Sequence, residues 1–387
     1  MNQTTFSGDS RRARFLMIGG FLGAGKSTAL GRLARSLRDD GLRVGLITND
    51  QGSGLVDTRN LRHQGFAVEE IAGGCFCCRF DSLRSAAAEL EASERPEVFV
   101  AEPVGSCTDL LATVSYPLRR LYGESFDIAP LSVMVDPRRA ARVLGLDSGR
   151  RFSDKVTYVY RKQLDEAQVI VINKIDAVDS AFRSDLRGAL SERYPGARIF
   201  EVSARETDGL DAWFRYIRTE SLGHHPVLDI DYDVYAEGEA LLGWLNATVH
   251  LEAPDDVDGN DLVDDVARSL LTRLRRGDVE IAHLKMTLSP TSGGAFSDDL
   301  ALVNLVGTEW VPEVSERLRA PLKRGDLVVN LRAEATPDTL EQSLAQEIAD
   351  RPHLSLTHVE SFAPAPPEPT HRMTSQPTDL DVTPTVG

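Results

Sequence analysis

Cysteine is scarce in this chain, with four among 387 residues, and three of those fall inside the four-residue window 75–78. So few and so unevenly spread, they exclude a disulfide framework and suit metal or redox chemistry in a reducing compartment. Long hydrophobic runs are missing as well. No stretch approaches the roughly 20 apolar residues needed to cross a bilayer, so no membrane partner is expected. Basic surface is the third absence: the formal net charge is -16, and residues 226–267 hold no Lys or Arg against twelve Asp and Glu. A nucleic-acid backbone would be repelled by that field. No internal repeat is visible.

What is present suits globular packing, since 42% of the residues are apolar. A chain this long exceeds one ordinary core, which predicts two folded domains with loose ends. Arg11-Arg12-Ala13-Arg14 before Phe15-Leu16-Met17-Ile18 superficially mimics a signal peptide. The apolar run leads directly into a glycine-rich loop, however, without a small-residue cleavage site, so it reads as a first strand and the expected location is the cytoplasm.

Short β-branched runs then alternate with amphipathic stretches. Strands are predicted at 14–18, 43–48, 98–101, 131–135, 169–172 and 198–202, and helices from Lys26 and around 81–92, 180–193 and 209–219. This alternation implies an α/β fold: a mostly parallel sheet flanked by helices, with its ligand crevice at the carboxyl ends of the strands. The expected organisation is a flexible N-terminus (1–13), an α/β domain (14–220), a charged linker (221–240), a smaller α+β domain (241–361) and a Pro- and Thr-rich disordered tail (362–387). In the second domain strands are predicted at 241–251, 279–288, 300–306 and 326–333, and helices at 260–276, near 313–320 and at 337–349.

Between the first strand and first helix stands Gly20-Phe-Leu-Gly23-Ala-Gly25-Lys26-Ser27-Thr28, a complete phosphate-binding loop of the P-loop NTPase type. Its glycines let backbone N–H groups converge on phosphates while Lys26 reaches the β and γ oxygens. Ser27 is expected to ligate Mg2+ and Thr28 to face the α-phosphate, both at a helix N-terminus that favours anions. About 150 residues on, Asn173-Lys174-Ile175-Asp176 follows a strand. An Asp176 carboxylate can accept two hydrogen bonds from guanine and finds no such pair on adenine, which points to GTP. Asn173 would brace the loops, the Lys174 stem would lie over the purine, and Ser203-Ala204 would offer backbone N–H groups to the guanine oxygen. Asp50 and Glu102, each ending a predicted strand, are candidates to hold magnesium-bound water or to orient the attacking water, so that Lys26, Asp50 and Glu102 form the expected catalytic set. Glycines at 52, 54 and 105 would let these segments move on hydrolysis.

Gly73-Gly74 precedes Cys75-Phe76-Cys77-Cys78, which packs three sulfurs into one turn. Thiolates select Zn2+ or a borderline ion such as Co2+ over magnesium, and a fourth ligand would complete a tetrahedron. Three structural thiols are the alternative reading. Cys107 is either a packed thiol or a ligand in one nucleotide state, and His63, His224 and His225 are accessory candidates of lower standing.

With these motifs in hand, residues 14 to about 220 resemble the CobW-like metallochaperone GTPases, relatives of UreG and HypB: the phosphate loop, G-C-x-C-C, E-x-x-G and N-K-x-D occur in that family's order and approximate spacing. Residues 241–349 look like the family's smaller C-terminal domain, on weaker motif support. The resemblance implies slow GTP hydrolysis, metal ligation by Cys75, Cys77 and Cys78 under control of the bound nucleotide, delivery to a client metalloenzyme, and a nucleotide-dependent homodimer. Similarity to cobalamin synthesis proteins and nitrile hydratase activators makes cobalt the alternative cargo. Two departures stand out. The family's E-T-S-G is Glu102-Pro103-Val104-Gly105 here, which removes hydroxyls near the γ-phosphate, and the metal-storing His-rich run of many relatives is missing. Two other classes stay open: a P-loop small-molecule kinase with structural cysteines, and a GTP-dependent adaptor that remodels a corrinoid or other metalloenzyme without carrying metal.

Overall fold

A computed structural model describes residues 12–50, 61–62, 64–291 and 299–375. Nearly all of the expected flexible N-terminus, His63 and residues 376–387 lie outside the described residues, and so does the Asp50 side chain. The chain divides into two compact units, one of residues 1–147, 158–232 and 367–387, the other of 148–157 and 233–366. Among the described residues no helix is long and apolar enough to cross a membrane.

The first unit runs β1 (Ala13–Gly20), α1 (Lys26–Asp39), β2 (Val44–Asp50), β3 (Ala67–Ala72), α2 (Phe80–Glu94), β4 (Val98–Glu102), then a π-helical turn (Leu111–Ser115) leading into α3 (Tyr116–Tyr122). It continues through β5 (Phe126–Ile128), β6 (Ser132–Val135), α4 (Pro137–Leu144), α5 (Asp154–Asp165), β7 (Val169–Ile172), α6 (Ser180–Arg193), β8 (Arg198–Glu201) and α7 (Leu210–Thr219). All pairings are parallel in the order β3-β2-β4-β1-β6-β7-β8, with β5 also on β1. Strands buried on both faces read as continuous apolar runs, and Val169–Ile172 is buried throughout. The order reverses at β1, which has β4 on one side and β6 on the other, so the loop after β1 opens into the crevice where such sheets bind ligands. Leu30, Leu33, Ala34 and Leu37 of α1 and Trp213, Phe214 and Ile217 of α7 fill one core with Leu16, Ile18 and Val100 of the sheet.

The second unit is an antiparallel six-stranded sheet in the order β12-β11-β10-β13-β9-β14, with the ranges Leu242–Val257 (β9), Glu280–Pro290 (β10), Ala301–Leu305 (β11), Glu313–Glu316 (β12), Leu322–Glu334 (β13) and Leu354–Phe362 (β14). Helix α8 (Tyr232–Ala240) precedes it, and α9 (Gly259–Arg276) and α10 (Pro337–Ala349) pack with it. Period-two burial along Leu245, Ala247, Val249 and Leu251 meets period-3.6 burial along Val263, Val266, Leu270 and Leu274 of α9 in one core.

Three expectations need correction. The helix predicted near 313–320 is the strand Glu313–Glu316, which pairs with β11; cross-strand pairing overrides the propensity of so short a segment. Residues 221–240, read as a linker, contain α8, anchored by buried Tyr235. The tail expected to be disordered from 362 is described to residue 375: Phe362 still belongs to β14, and residues from 367 on belong to the first unit.

Candidate functional site

The phosphate loop is held from behind by side chains. The carbonyl of Leu22 accepts a hydrogen bond from Arg139 Nη1 at 2.7 Å, that of Gly23 from Lys174 Nζ at 2.7 Å and that of Ala24 from Asn173 Nδ2 at 2.8 Å. Lys26 Nζ lies 3.5 Å from the Phe21 carbonyl. In a trans peptide the next N–H points opposite to the carbonyl, so fixing these oxygens turns the amides of Gly23 and Gly25 the other way. Gly25 takes φ of 95°, and a Cβ there would stand 2.3 Å from Asn173 Nδ2. Only glycine permits both the left-handed backbone and the close approach. The first-turn amides of α1 add further donors at the positive end of the helix dipole. A loop built in this way fits a polyphosphate.

Asn173 does more than brace that loop. Its Oδ1 accepts the Ala204 amide at 2.9 Å, tying the two base-side loops together. The Ser203 amide donates to the Asp208 carbonyl at 2.9 Å. Both amides expected to face the guanine oxygen therefore have acceptors within the protein, that of Ala204 on the loop after β7 and that of Ser203 where the loop after β8 turns back on itself. Lys174, at φ of 57°, is shared between Gly23 and Asp136, whose Oδ2 is 3.0 Å away. Burial alone would raise the Asp136 carboxyl, but Lys174 and Arg139 hold it below the ordinary carboxylate range. Asp176 follows in an exposed turn, free to meet a base. Thr28 is exposed on the first turn of α1.

On the other side of the loop, the Ser27 hydroxyl donates to Glu102 Oε1 at 3.0 Å. The chain leaving Glu102 stays against the phosphate loop, since a Cβ on Gly105 would lie 2.9 Å from the Leu22 nitrogen. Gln163, itself buried, donates through Nε2 to the carbonyls of Gly105 at 3.0 Å and Cys107 at 2.9 Å. Beyond Cys107, the Thr108 hydroxyl and the Leu111 amide both donate to Glu166 at 3.3 and 3.0 Å. Burial pushes that carboxyl up to about 8.

The cysteines lie on the turn that opens α2, with the amides of Cys78 and Arg79 both donating to the Cys75 carbonyl. Their sulfurs converge, at 2.7 Å for Cys75 and Cys77, 3.2 Å for Cys75 and Cys78, and 3.6 Å for Cys77 and Cys78. All four cysteines are free thiols. Hydrogen bonds from Cys107, Cys77 and Cys78 draw the Cys75 thiol well below its ordinary value. The same sharing, with Cys107 again foremost, pushes Cys77 up, and Cys75 raises Cys78 to about 11. Three convergent sulfurs are a soft-metal donor set. Among the described residues these three cysteines are the group arranged to hold an ion; His224 and His225 are not part of it.

Two tethers escaped the sequence reading. Buried Asn49, one residue before Asp50, donates through Nδ2 to the carbonyls of Ile71 at 2.9 Å and Gly74 at 2.6 Å, which links the end of β2 to the cysteine turn. The C-terminal segment crosses the cluster. Glu368 donates its amide to Cys78 Sγ at 3.2 Å, and Thr370 donates its amide to the Cys77 carbonyl at 2.9 Å and its hydroxyl to the Cys78 carbonyl at 3.1 Å. His371 lies edge-on to Phe80 at 4.9 Å. Arg372 clamps the strap through Nε to buried Asp109 at 2.7 Å, which also accepts from the Tyr232 hydroxyl. A Pro-rich composition signals that a segment cannot bury a core of its own. It carries no signal that the segment will lie on someone else's.

Residues 14–201 match the family model described as CobW/HypB/UreG, nucleotide-binding domain. Among solved structures the chain is similar to the hydrogenase maturation factor HypB from Archaeoglobus fulgidus, at 18% identity over 54% of this chain and 89% of that one with a TM-score of 0.37. It is similar to HypB from Helicobacter pylori in complex with nickel, at 20% over 54% and 92% with a TM-score of 0.38. It is also similar to the Zn(II)-bound YjiA GTPase from E. coli, at 14% over 87% and 99% with a TM-score of 0.39. No curated protein matches the chain.

Two outcomes follow from this geometry. Asn173→Ala leaves the Ala24 carbonyl and the Ala204 amide without their partner, at about 1–3 kcal/mol for each buried group, so nucleotide affinity by calorimetry should fall about tenfold or more; an unchanged affinity would mean the loop holds its shape without this side chain. Deleting residues 367–387 removes three hydrogen bonds over the cysteine turn, each worth about 1 kcal/mol, and should speed alkylation of Cys77 and Cys78 at least about tenfold. Equal rates would show that the strap does not protect them.

Proposed function

We propose, for a chain whose residues 14–201 match the CobW/HypB/UreG nucleotide-binding domain, that it is a GTP-hydrolysing metallochaperone. It takes Zn2+, or alternatively Co2+, at Cys75, Cys77 and Cys78 and delivers the ion to a client metalloenzyme under nucleotide control. The observation that supports this reading is the segment from Glu102 to Cys107. It meets the phosphate loop through Glu102 on Ser27 and through Gly105 beside Leu22, and it meets the thiols through Cys107.

In this reading Lys26 and the loop amides hold the β- and γ-phosphates, and Asp176 accepts from the guanine edge. Mg2+, when bound, neutralises charge on the phosphates, and Ser27 is the residue of this chain to hold it. A ligand that claims the Ser27 oxygen alters what Glu102 is paired with, and the change passes along a backbone already fixed by Gln163. Asp50 is the further candidate for positioning water. The metal ion is cargo, so its affinity has to differ between nucleotide states if hydrolysis is to govern its release. A homodimer formed in one of those states and the identity of the client belong to the same proposal.

The test joins the two sites. The full chain should bind about one Zn2+ per protomer and lose it when Cys75, Cys77 and Cys78 are replaced together by Ser. In the otherwise native chain, Asp176→Asn should cut the preference for GTP over ATP by about tenfold or more, the order expected for a lost charged hydrogen-bond pair. Zinc retained without the three cysteines would remove the carrier, leaving the adaptor or the kinase. Undiminished discrimination against ATP would remove the guanine pocket.

A further inference from the structure

The strap over the cysteine turn is seated in a socket shaped for one kind of side chain. The Arg372 guanidinium donates through Nε to Asp109 Oδ2 at 2.7 Å and through Nη2 to the Leu228 carbonyl at 2.8 Å. It also stands 5.7 Å from the ring of Tyr232, whose hydroxyl donates to the same Asp109 oxygen at 2.7 Å. The Asp109 side chain is 2% exposed. A buried carboxylate beside a carbonyl and an aromatic face suits the planar fork of arginine, and suits the compact, strongly hydrated ammonium of lysine far less. The rest of the groove reads backbone. The Cys77 carbonyl accepts the Thr370 amide, the Cys78 carbonyl the Thr370 hydroxyl and the Ala112 carbonyl the Met373 amide, while the Glu368 amide points at Cys78 Sγ. Each of these groove atoms accepts, so the groove selects an extended backbone that carries a hydroxyl and, two residues later, an arginine.

Of the three clustered cysteines, Cys75 and Cys77 are buried and Cys78 is partly exposed, so the approach from solvent is at Cys78, under the strap. A strap that simply lifted away would strip the guanidinium from a buried carboxylate, and a buried charge left without its partner is costly. A segment that brings its own guanidinium avoids that cost, since one arginine replaces another. We propose that this groove is the docking site for an extended, arginine-bearing segment of the protein that receives the metal, with residues 368–373 of this chain holding the place until that segment exchanges for them. Charge favours such an occupant, because a chain of net charge -16 draws a cationic segment toward it. The inference rests on the carrier reading and deepens it. The position that Glu368 takes in the strap lies against the Cys78 sulfur, so the residue ahead of the docked arginine that replaces it is the one placed to receive the ion. Docking thereby uncovers Cys78 only when a receiver is in the groove.

The probe is a fluorescent peptide with the sequence of residues 370–375, which carries the arginine and lacks Glu368, added to the reduced full-length protein. In Arg372→Glu, whose own strap is repelled by Asp109, the peptide should bind by fluorescence anisotropy. Its affinity should fall about tenfold or more, the order for a lost charged hydrogen bond, when its arginine is replaced by lysine or alanine, or when Asp109→Asn is added to the protein. Wild type, where the tethered strap competes at an effective concentration of about 1 mM, should bind the same peptide at least about tenfold more weakly. No saturable binding to Arg372→Glu up to about 1 mM, or binding indifferent to the arginine, would overturn the docking site. A wild-type dimer that Arg372→Glu abolishes would give the socket to the strap of a second copy and overturn it equally. A second arm needs no variant: wild type loaded with Zn2+ should pass the ion to a chelator faster with this peptide at about the effective concentration of the strap than with its arginine-to-alanine form. Equal transfer rates would overturn the exchange. Failure of wild type to hold Zn2+ at the cysteines would remove the carrier reading, while arginine-dependent anisotropy would still establish the socket.

Discussion

A phosphate-binding loop has to keep its carbonyls toward the protein so that its N–H groups can face an anion, and a run of backbone has no reason to do so unaided. Here the carbonyls of Leu22, Gly23 and Ala24 are taken by Arg139, from the first turn of the helix after β6, and by Lys174 and Asn173, from the loop after β7. The parallel sheet delivers all three to one crevice because β6 pairs with β1 and β7 with β6, all parallel. Asp136, charged and buried, steadies both Lys174 and Arg139. The residues expected to read the base and those that shape the phosphate cradle are thus partly the same residues, since Asn173 and Lys174 both hold carbonyls of the loop.

The opposite wall of the cradle is where a second chemistry is attached. Glu102 and Gly105 touch the phosphate loop, and Cys107 touches the sulfurs, within one short segment. Asn49 provides a parallel tie from the end of β2 to Gly74. Coupling between two ligands is reciprocal: whatever factor the nucleotide applies to metal affinity, the metal applies to nucleotide affinity. In the proposed carrier, that factor arises from packing of a few ångströms' reach rather than from motion of a whole domain. The strap formed by Glu368 to Met373 lies on the same cluster and is clamped at Asp109, two residues beyond Cys107.

Several elements were legible from sequence because local rules govern them. Val169–Ile172, Ser180–Arg193 and Pro337–Ala349 have the pure periodicity or the capping residues that set helix and strand ends, such as Asp179 and Thr336. The phosphate loop and the tetrapeptide Asn173 to Asp176 carry their spacing in the chain. Elements whose conformation depends on a distant partner were not legible. Strand β3 exists because β2 offers it an edge, β12 because β11 does, and the π-helical turn after Leu110 is bonded to Glu166, 55 residues away along the chain at Leu111. Asp136 and Arg139 look in sequence like an ordinary cap and a surface base; their role appears only when β6 is set beside β1. The strap was hidden for the opposite reason, since its composition argues against burial and two of its anchors on the cysteine turn are backbone amides, which every residue but proline possesses.

The central claim is that the guanine-nucleotide cradle governs the sulfur site. The most direct measurement is Zn2+ affinity of the full-length reduced protein, by competition with a calibrated chelator, in the presence of a non-hydrolysable GTP analogue, of GDP and of neither. The account predicts affinities that differ between the GTP analogue and GDP by about 5- to 150-fold, the usual range of coupling between sites. Equal affinities in all three conditions would contradict it.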